Sequence, residues 1–366
     1  MQIGIVSIYG YENFGNRLQN YALQQILLKY ADEVITIRNR ARIRWYLKDS
    51  ARGLLNSFTS NGRNSRIQIK NRSGKIFTDT HIYSSSRNYC YFRRKRPLKM
   101  LDRCDLYCAG SDQIWNPLFG RSGLFNYLDF ADYDRTFSYA ASFGIDAIPP
   151  QHLDAVRNGL NHIKYISVRE EAGKRIVQEL TGRTDVQVLV DPTMLLTADE
   201  WDIIAEKPRG DIPERYILTY FLGNVSDARR AVIVQKAQEL GCAIIELMNP
   251  NSPFYAIGPE HFVYLIKHAV LVCTDSFHGS VFSFLYGKPL AIFERTGNGE
   301  DMSSRLITLT DKFSLKKCVA VADSLPDMSA ELDYSNGYAI LEQERSKSKA
   351  YFDMILREAE RAGLCK

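Results

Sequence analysis

The stretch VLVCTDSFHGSVFSFLYGKPL, residues 270–290, decides the fold of this 366-residue chain. Apolar residues typical of a strand lead into a polar turn at residues 274–276, and the chain restarts as a helix with His278 in its first turn. A strand, a capping turn and the start of a helix form an anion site, because the first backbone N–H groups of a helix have no partners within it. With an imidazole in that turn, the pattern favours an enzyme that handles an anionic substrate over a scaffold.

The same alternation of strand, polar turn and helix recurs along the chain. Residues 4–8 form a short apolar run, residues 18–28 place apolar side chains at helical spacing, and residues 34–37 predict a second strand. Further apolar runs that end in polar turns lie at residues 106–109, 136–141, 165–168, 186–190, 216–221, 243–247 and 290–293. This alternation predicts parallel sheets with helices on both faces, and ligands bind beyond the carboxyl ends of such strands.

Length and composition divide the chain into two domains. A chain of this length favours two domains over one, and a charged segment with two prolines, residues 198–214, predicts the linker. We expect an N-terminal Rossmann-like domain at residues 1–200 and a C-terminal Rossmann-like domain at residues 201–335. A charged helix at residues 336–366 is expected to pack back on the N-terminal domain.

Basic residues concentrate in one part of the sequence. The formal net charge is only +5, but Lys and Arg are dense between residues 38 and 103 and include the run RRKR at residues 93–96. We predict an insertion in the first domain at about residues 43–98. Such a surface suits nucleic acid, a membrane or a phosphorylated substrate, and a solvated surface is an equally good interpretation. The absence of an RNP-like or helix-turn-helix pattern argues against nucleic acid.

Cysteine usage and hydropathy indicate the compartment. The seven cysteines include no CxxC pair, and no matching Cys/His pair follows Cys104 and Cys108. We therefore expect free thiols in a reducing compartment, and neither a metal nor a cofactor. Because the chain starts with strand-like residues and no apolar run is long enough to span a bilayer, we expect a cytoplasmic protein, with peripheral contact at the inner face of the membrane as an option.

Six motifs at predicted strand ends follow one another along the chain. They are NFGNRLQNYAL (residues 13–23), GSDQIWNP (110–117), SYAASFG (138–144), ISVREE (166–171), VLVDPTMLL (188–196) and TDSFHGSVFSFLYGKP (274–289). In this order they resemble the polysaccharide pyruvyl transferase family. The resemblance implies an α/β fold of two Rossmann-like domains in a GT-B-like arrangement with a cleft between them. It also implies transfer of a pyruvyl group from phosphoenolpyruvate, as a co-substrate, onto sugar hydroxyls to form a ketal.

The resemblance also assigns individual residues. The family pattern has an arginine that maps onto Arg169 and a histidine that maps onto His278. Many members have an arginine two residues before that histidine, where this chain has Ser276. We expect Arg305 to supply the missing positive charge, because the loop before it leaves a strand that should neighbour the strand before His278. The alternative is that Arg305 opens a helix and pairs with Asp311.

The chemistry of ketal formation suggests roles for these side chains. A guanidinium such as that of Arg169 can bind a carboxylate or phosphate bidentately, and His278 can give a proton near neutral pH. Asp112 and Asp191, at neighbouring strand ends, are candidates to take the hydroxyl protons, and both also fit a turn-forming role. Further substrate contacts are expected from Asn16, Gln113, Ser276, Gly279 and Ser280.

Two other functions fit the same residues. One is a GT-B-type glycosyltransferase that uses a nucleotide sugar. The other is a non-catalytic relative that binds an anion or a glycan, which the departure at Ser276 would favour. In the leading interpretation the acceptor is a saccharide, either free or linked to a lipid.

Overall fold

The computed structural model describes residues 1–8, 10–11, 13–37, 39–40, 63–85, 89–90, 104–119, 123–297, 303–327 and 333–365. Much of the predicted basic insertion, including the run at residues 93–96, lies outside the described residues. Within them, no helix combines the length and the apolar character needed to cross a membrane.

A parallel sheet forms the core of the N-terminal domain. Its strands are β1 (Gln2–Val6), β2 (Glu33–Thr36), β5 (Leu106–Gly110) and β6 (Thr136–Tyr139), in the order β2-β1-β5-β6. Shorter parallel pairs are β3 (Asn39–Arg40) with β4 (Tyr89–Cys90), and β7 (Ser167–Val168) with β8 (Gln187–Val188). Bridges from residues 137 and 141 to residues 165 and 168 connect β7 to the main sheet. Strands such as β5 are buried throughout, as expected for a sheet covered on both faces.

Helices cover this sheet and connect its strands. They are α1 (Phe14–Leu27), α2 (Arg63–His81), α3 (Leu153–Leu160), α4 (Glu171–Thr181) and α5 (Ala198–Asp202). The side chain of Asn13 caps α1 by accepting a hydrogen bond from the backbone N–H of Asn16. Helix α1 is buried along almost its whole length. Its N-terminal end therefore lies inside the molecule.

The C-terminal domain repeats the architecture. Its elements are β9 (Tyr216–Tyr220), α6 (Asp227–Leu240), β10 (Ala243–Glu246), α7 (Pro259–His268), β11 (Leu271–Thr274), α8 (Phe277–Leu285), β12 (Leu290–Ile292), α9 (Ser303–Lys312) and α10 (Ser335–Arg361). The four strands are parallel, in the order β10-β9-β11-β12. The strand that precedes His278 is therefore next to β12, from which the chain continues towards Arg305.

Helix α10 crosses from the C-terminal domain to the N-terminal one. The hydroxyl of Tyr351 donates to the carbonyl oxygen of Ser138 (2.9 Å), and the hydroxyl of Tyr139 donates to Oγ of Ser348 (3.0 Å). The two domains also meet at α1, where the ring of Phe14 stacks on that of Phe262 in α7, with 5.0 Å between centroids. This contact brings the N-terminal end of α1 against the C-terminal sheet.

Candidate active site

The N-terminal ends of α1 and α8 meet between the two domains. His278 is the second residue of α8 and is almost fully buried. A Cβ atom added to Gly15 in the first turn of α1 would lie 2.0 Å from Nδ1 of His278. Since no real side chain tolerates such a contact, the glycine provides the space in which the imidazole lies.

A buried ion pair anchors Arg169 at the end of β7. Its Nη1 donates to Oδ2 of Asp191 (2.5 Å), and the same carboxylate oxygen accepts from the hydroxyl of Ser111 (3.3 Å). The other oxygen, Oδ1, accepts from the backbone N–H (3.0 Å) and the hydroxyl (2.7 Å) of Thr193. Asp191 therefore has a full set of donors, which fits a residue that holds the guanidinium in place.

Asp112 is held in a different way. Its backbone has a φ of 42°, a left-handed conformation that is uncommon outside glycine and clusters at functional sites. Nδ2 of Asn16 donates to Oδ2 (3.2 Å). Oδ1 lies 3.6 Å from Nη2 of Arg169 and 3.6 Å from Nη1 of Arg305. Both distances are too long for hydrogen bonds, so the carboxylate faces the two guanidinium groups without bonding to either.

Three buried atoms of Arg169 and His278 have no hydrogen-bond partner among the described residues. They are Nε and Nη2 of Arg169 and Nε2 of His278. The last lies 3.8 Å from Oδ2 of Asp191. Leaving a buried donor without an acceptor costs about 1–3 kcal/mol and more for a charged group, so unmet donors that converge are expected where a ligand binds.

Arg305 joins the cluster from α9. It is buried, and its Nη1 lies 3.6 Å from Oδ1 of Asp112. Asp311 pairs instead with Lys316 (3.0 Å). The position of Arg305 beside Asp112 fits the expected positive charge, and its role in binding a donor stays a prediction.

Burial and charge shift the titration of these groups. Burial alone would raise the pKa of Asp112, but Arg169, His278 and Arg305 outweigh it and lower that pKa. The pKa of Asp191 is lowered in the same way by Arg169 and His278. Burial lowers the pKa of His278 although both aspartates oppose the change, so the neutral imidazole is favoured before a ligand binds. Burial and repulsion by Arg169 lower the pKa of Arg305 to about 10, which leaves it charged at neutral pH.

The remaining predicted substrate contacts have structural duties. Oγ of Ser276 caps α8 by accepting from the backbone N–H of Gly279 (3.4 Å), and the N–H of Ser280 donates to the carbonyl oxygen of Ser276 (3.0 Å). Those two amides are thus engaged within the helix. Gln113 accepts from Nδ2 of Asn116 (2.6 Å) and lies against Gly144.

Sequence reasoning missed two residues of the site. Glu170 is buried, and its Oε1 accepts from the hydroxyl of Ser142 (2.8 Å) and the backbone N–H of Phe143 (3.1 Å). The ring of Phe277 lies under the guanidinium of Arg169, with 4.7 Å from Cζ to the centroid. In the sequence, Glu170 directly follows Arg169 and Phe277 directly precedes His278, and this adjacency could have marked both as residues of the site.

The six motifs fall within a region that a sequence model of polysaccharide pyruvyl transferase matches, residues 13–296. The chain belongs to the polysaccharide pyruvyl transferase family. The match spans well over half of the chain and confirms the resemblance predicted from the motifs. Membership makes the protein a transferase whose family acts on polysaccharides. The chain matches none of the curated proteins.

Solved structures agree on the fold. The UDP-GlcNAc 2-epimerase from Methanocaldococcus jannaschii superposes with a TM-score of 0.51 at 12% identity, over 93% of this chain and 92% of that one. The glycosyltransferase SnogD from Streptomyces nogalater gives a TM-score of 0.41 at 11% identity, over 98% and 99% of the two chains. At these identities the likeness concerns the fold alone. Together with the two parallel sheets of the structure, the likeness to the epimerase confirms the predicted GT-B-like class.

Proposed function

We propose that the protein transfers a pyruvyl group from phosphoenolpyruvate onto two hydroxyls of a saccharide and forms a ketal. The observation that carries this proposal is the set of unmet buried donors on Arg169 and His278, with the charge of Arg305 beside them. Phosphoenolpyruvate presents a carboxylate and a phosphate on one small molecule. Converging guanidinium and imidazole groups are what such a double anion requires.

His278 is assigned the role of proton donor. A proton from its imidazolium goes to the methylene carbon of the donor, and the central carbon becomes electrophilic. Two hydroxyl oxygens then bond to that carbon, and the bond between it and the phosphate oxygen breaks. Of the two hydroxyl protons released, one restores His278, and the other is taken by a carboxylate base, which passes it to the departing phosphate. The bound phosphate offsets the lowered pKa of His278, because a nearby anion favours the charged imidazolium.

The two aspartates receive different roles. Asp191 already accepts hydrogen bonds from Arg169, Ser111 and Thr193, so we assign it to orienting the guanidinium. Asp112 accepts one described hydrogen bond, from Asn16, and its second oxygen faces two arginines at 3.6 Å. Asp112 is therefore the better group to take a proton from an acceptor hydroxyl.

One contact in the C-terminal domain disfavours a nucleotide-sugar donor. Rossmann-like domains bind pyrophosphate with backbone amides in the turn after the first strand. In this chain that turn follows β9, and the amides of Leu222 and Gly223 donate to the two carboxylate oxygens of Asp275 (2.7 and 2.8 Å). Because a buried carboxylate of the protein occupies these donors, the domain is less suited to a diphosphate.

Little space is left beside the cluster. The cavity lined by Arg169, Asp191, Phe277 and Arg305 measures about 20 Å³, enough for one water molecule. Phosphoenolpyruvate is larger. A bound donor therefore needs more space than this cavity offers, and a movement of the two domains apart and together would supply it and would also exclude water from the reaction.

Product analysis tests the proposal. The protein is incubated with phosphoenolpyruvate and a panel of saccharide precursors, and phosphate release is measured together with the ketal methyl signal by proton NMR. Phosphate release that depends on the acceptor, with a matching ketal signal, is expected. Thermal shift with phosphoenolpyruvate against nucleotide sugars is the companion measurement. Stabilisation by a nucleotide sugar alone, with no ketal formed, would favour the glycosyltransferase instead.

A further inference from the structure

Helix α2 lies across both domains. One face is buried, with Lys70 and Phe77 among its inward side chains. From this helix, Nη1 of Arg66 donates to the carbonyl oxygen of Ser252 (3.1 Å), and Oγ of Ser73 donates to that of Ala256 (2.7 Å). Both acceptors belong to the C-terminal domain. The helix is thus fixed at the junction of the two domains.

The same helix lies close to the candidate active site. A Cβ atom added to Gly74 would lie 2.2 Å from the carbonyl oxygen of Tyr11. Tyr11 shortly precedes α1, whose first turn carries Gly15 beside His278. The helix therefore packs next to the segment that leads into the site.

The outward face of α2 exposes apolar side chains. Ile69 and Ile76 are seven residues apart, so they lie on one face, and they are 51% and 55% exposed. Tyr83, just beyond the helix, is 59% exposed and lines a surface pocket of about 400 Å³. Arg72 lies between the isoleucines and is exposed, as is Lys75. Exposed isoleucines interleaved with cations differ from the polar outer face of an ordinary surface helix.

The sequence around α2 concentrates the positive charge of the protein. Residues 38–103 contain 18 Lys and Arg and three Asp, a net charge of +15, whereas the whole chain has +5. The rest of the chain is therefore acidic. A basic segment in an otherwise acidic sequence favours an anionic partner, and on α2 itself Arg72 and Lys75 are exposed cations, Lys75 being paired with Asp79.

We propose that this outward face, formed by Ile69, Arg72, Lys75, Ile76 and Tyr83, docks on an anionic lipid bilayer. Isoleucine and tyrosine side chains enter the boundary between headgroups and acyl chains, and the cations contact the headgroups. Nucleic acid is less suited, because binding to its phosphates needs cations and gives exposed isoleucines no role. The benefit of this docking rests on the proposed function. At a membrane, a lipid-linked saccharide would be brought to the side of the molecule that leads into the cleft.

Vesicle co-sedimentation of the full-length protein tests the docking. Vesicles of phosphatidylcholine with about one third phosphatidylglycerol should bind the protein, and vesicles of phosphatidylcholine alone should bind it far less. Ile69→Ser with Ile76→Ser is expected to weaken binding by about tenfold, since burial of apolar area contributes to the affinity. Arg72→Glu with Lys75→Glu should weaken it at least as much, and salt should release the wild type.

Matched variants exclude general surface effects. Val234→Ser with Val321→Ser removes two exposed apolar side chains from the C-terminal domain, and Lys316→Glu reverses an exposed charge there. These variants should bind vesicles like the wild type. All variants should stay folded, because the altered side chains are exposed and the ion pairs of Lys75 with Asp79 and of Lys316 with Asp311 lie at the surface, where such pairs contribute little.

Three results would contradict the proposed docking. The docking fails if the wild type ignores anionic vesicles, or if the Ile69→Ser/Ile76→Ser protein binds them as well as the wild type does. It also fails if this face binds RNA or another protein and not vesicles. Phosphate release from phosphoenolpyruvate with a soluble acceptor is measured in parallel and should be unchanged in the docking variants. Vesicle binding without any such turnover would refute the proposed function and leave the docking intact.

Discussion

A Cβ atom on Gly15 would lie 2.0 Å from Nδ1 of His278, although the two residues belong to different domains. The glycine is in the first turn of α1 and the histidine in the first turn of α8. The missing side chain therefore sets the position of the imidazole relative to Arg169 and Asp191. A substitution at Gly15 therefore tests the position of the imidazole while every charged group of the site is kept.

Gly15→Ala should displace the imidazole and lower kcat by about 10²-fold, because a shift of about an ångström at a reacting group has that effect. Overpacking should also lower the free energy of unfolding by about 1–3 kcal/mol. Gly123→Ala is the matched control, since a Cβ atom there meets nothing within 4 Å. Wild-type kcat in the Gly15→Ala protein would show that the imidazole position is unimportant.

His278→Gln should lower kcat by about 10²–10⁴-fold if the imidazole is the proton donor, because general acid catalysis contributes that much. In the wild type, kcat should fall as pH rises through the pKa of His278 in the donor complex, and this limb should vanish in the variant. Steady-state kinetics over a range of pH measures both effects. Turnover near the wild-type level would rule out the proton-donor role.

The lowered pKa of His278 also predicts how stability depends on pH. Between this lowered pKa and the ordinary value of about 6.5, the unfolded chain binds more protons than the folded one. The contribution of neutral His278 is therefore fully present above about pH 6.5 and decreases as the pH falls. Urea unfolding at several pH values should show a smaller loss in His278→Gln than in the wild type. Parallel curves for the two proteins would contradict the shift.

Much of the fold and part of the site could be predicted because their signals are local. Apolar runs that end in polar turns located the strand ends, and Asp112, Arg169 and Asp191 follow three of them. The contact of Gly15 with His278 could not be predicted, because it depends on how two separate sheets pack. The burial of Glu170 could not be predicted for a related reason. Its hydrogen-bond partners lie in another strand-end loop, and a charged residue is normally expected at the surface.

Phe277 should position Arg169 through the face of its ring, which lies 4.7 Å from the guanidinium carbon. Phe277→Leu is expected to raise the KM for phosphoenolpyruvate by about 2- to 30-fold, matching the 0.5–2 kcal/mol of a cation–π contact, with a smaller change in kcat. Phe277→Tyr keeps the aromatic face and should restore most of the affinity. Equal effects of Leu and Tyr would indicate a packing role only.

The contribution of the Arg169 guanidinium to donor binding is best tested by a conservative substitution. Removing the guanidinium altogether would leave the carboxylate of Asp191 buried without its partner and destabilise the fold by about 3–5 kcal/mol. Arg169→Lys keeps the charge but cannot form the planar fork, so donor affinity should fall by about 1.5–3 kcal/mol while the protein stays folded. Calorimetric titration with phosphoenolpyruvate measures this, with the exposed Arg230→Lys as control. Unchanged affinity would assign Arg169 to structure or to the acceptor.

Arg305 is expected to supply the positive charge that Ser276 does not. Its Nη1 lies 3.6 Å from Asp112, so it can reach an anion held between that carboxylate and Arg169. Arg305→Ala should weaken phosphoenolpyruvate binding by about 1.5–3 kcal/mol, as for a hydrogen bond to a charged group. Adding Ser276→Arg should restore part of the affinity, even though loss of the Ser276 cap on α8 lowers stability by about 1 kcal/mol.

The informative quantity is the coupling in the double-mutant cycle on donor affinity, since two cations that serve one ligand cannot act additively. Ser276→Arg in the wild-type background should therefore change affinity less than it does in Arg305→Ala. Strictly additive effects would show that the two positions serve different groups, and an unaltered affinity in Arg305→Ala would remove Arg305 from the donor site.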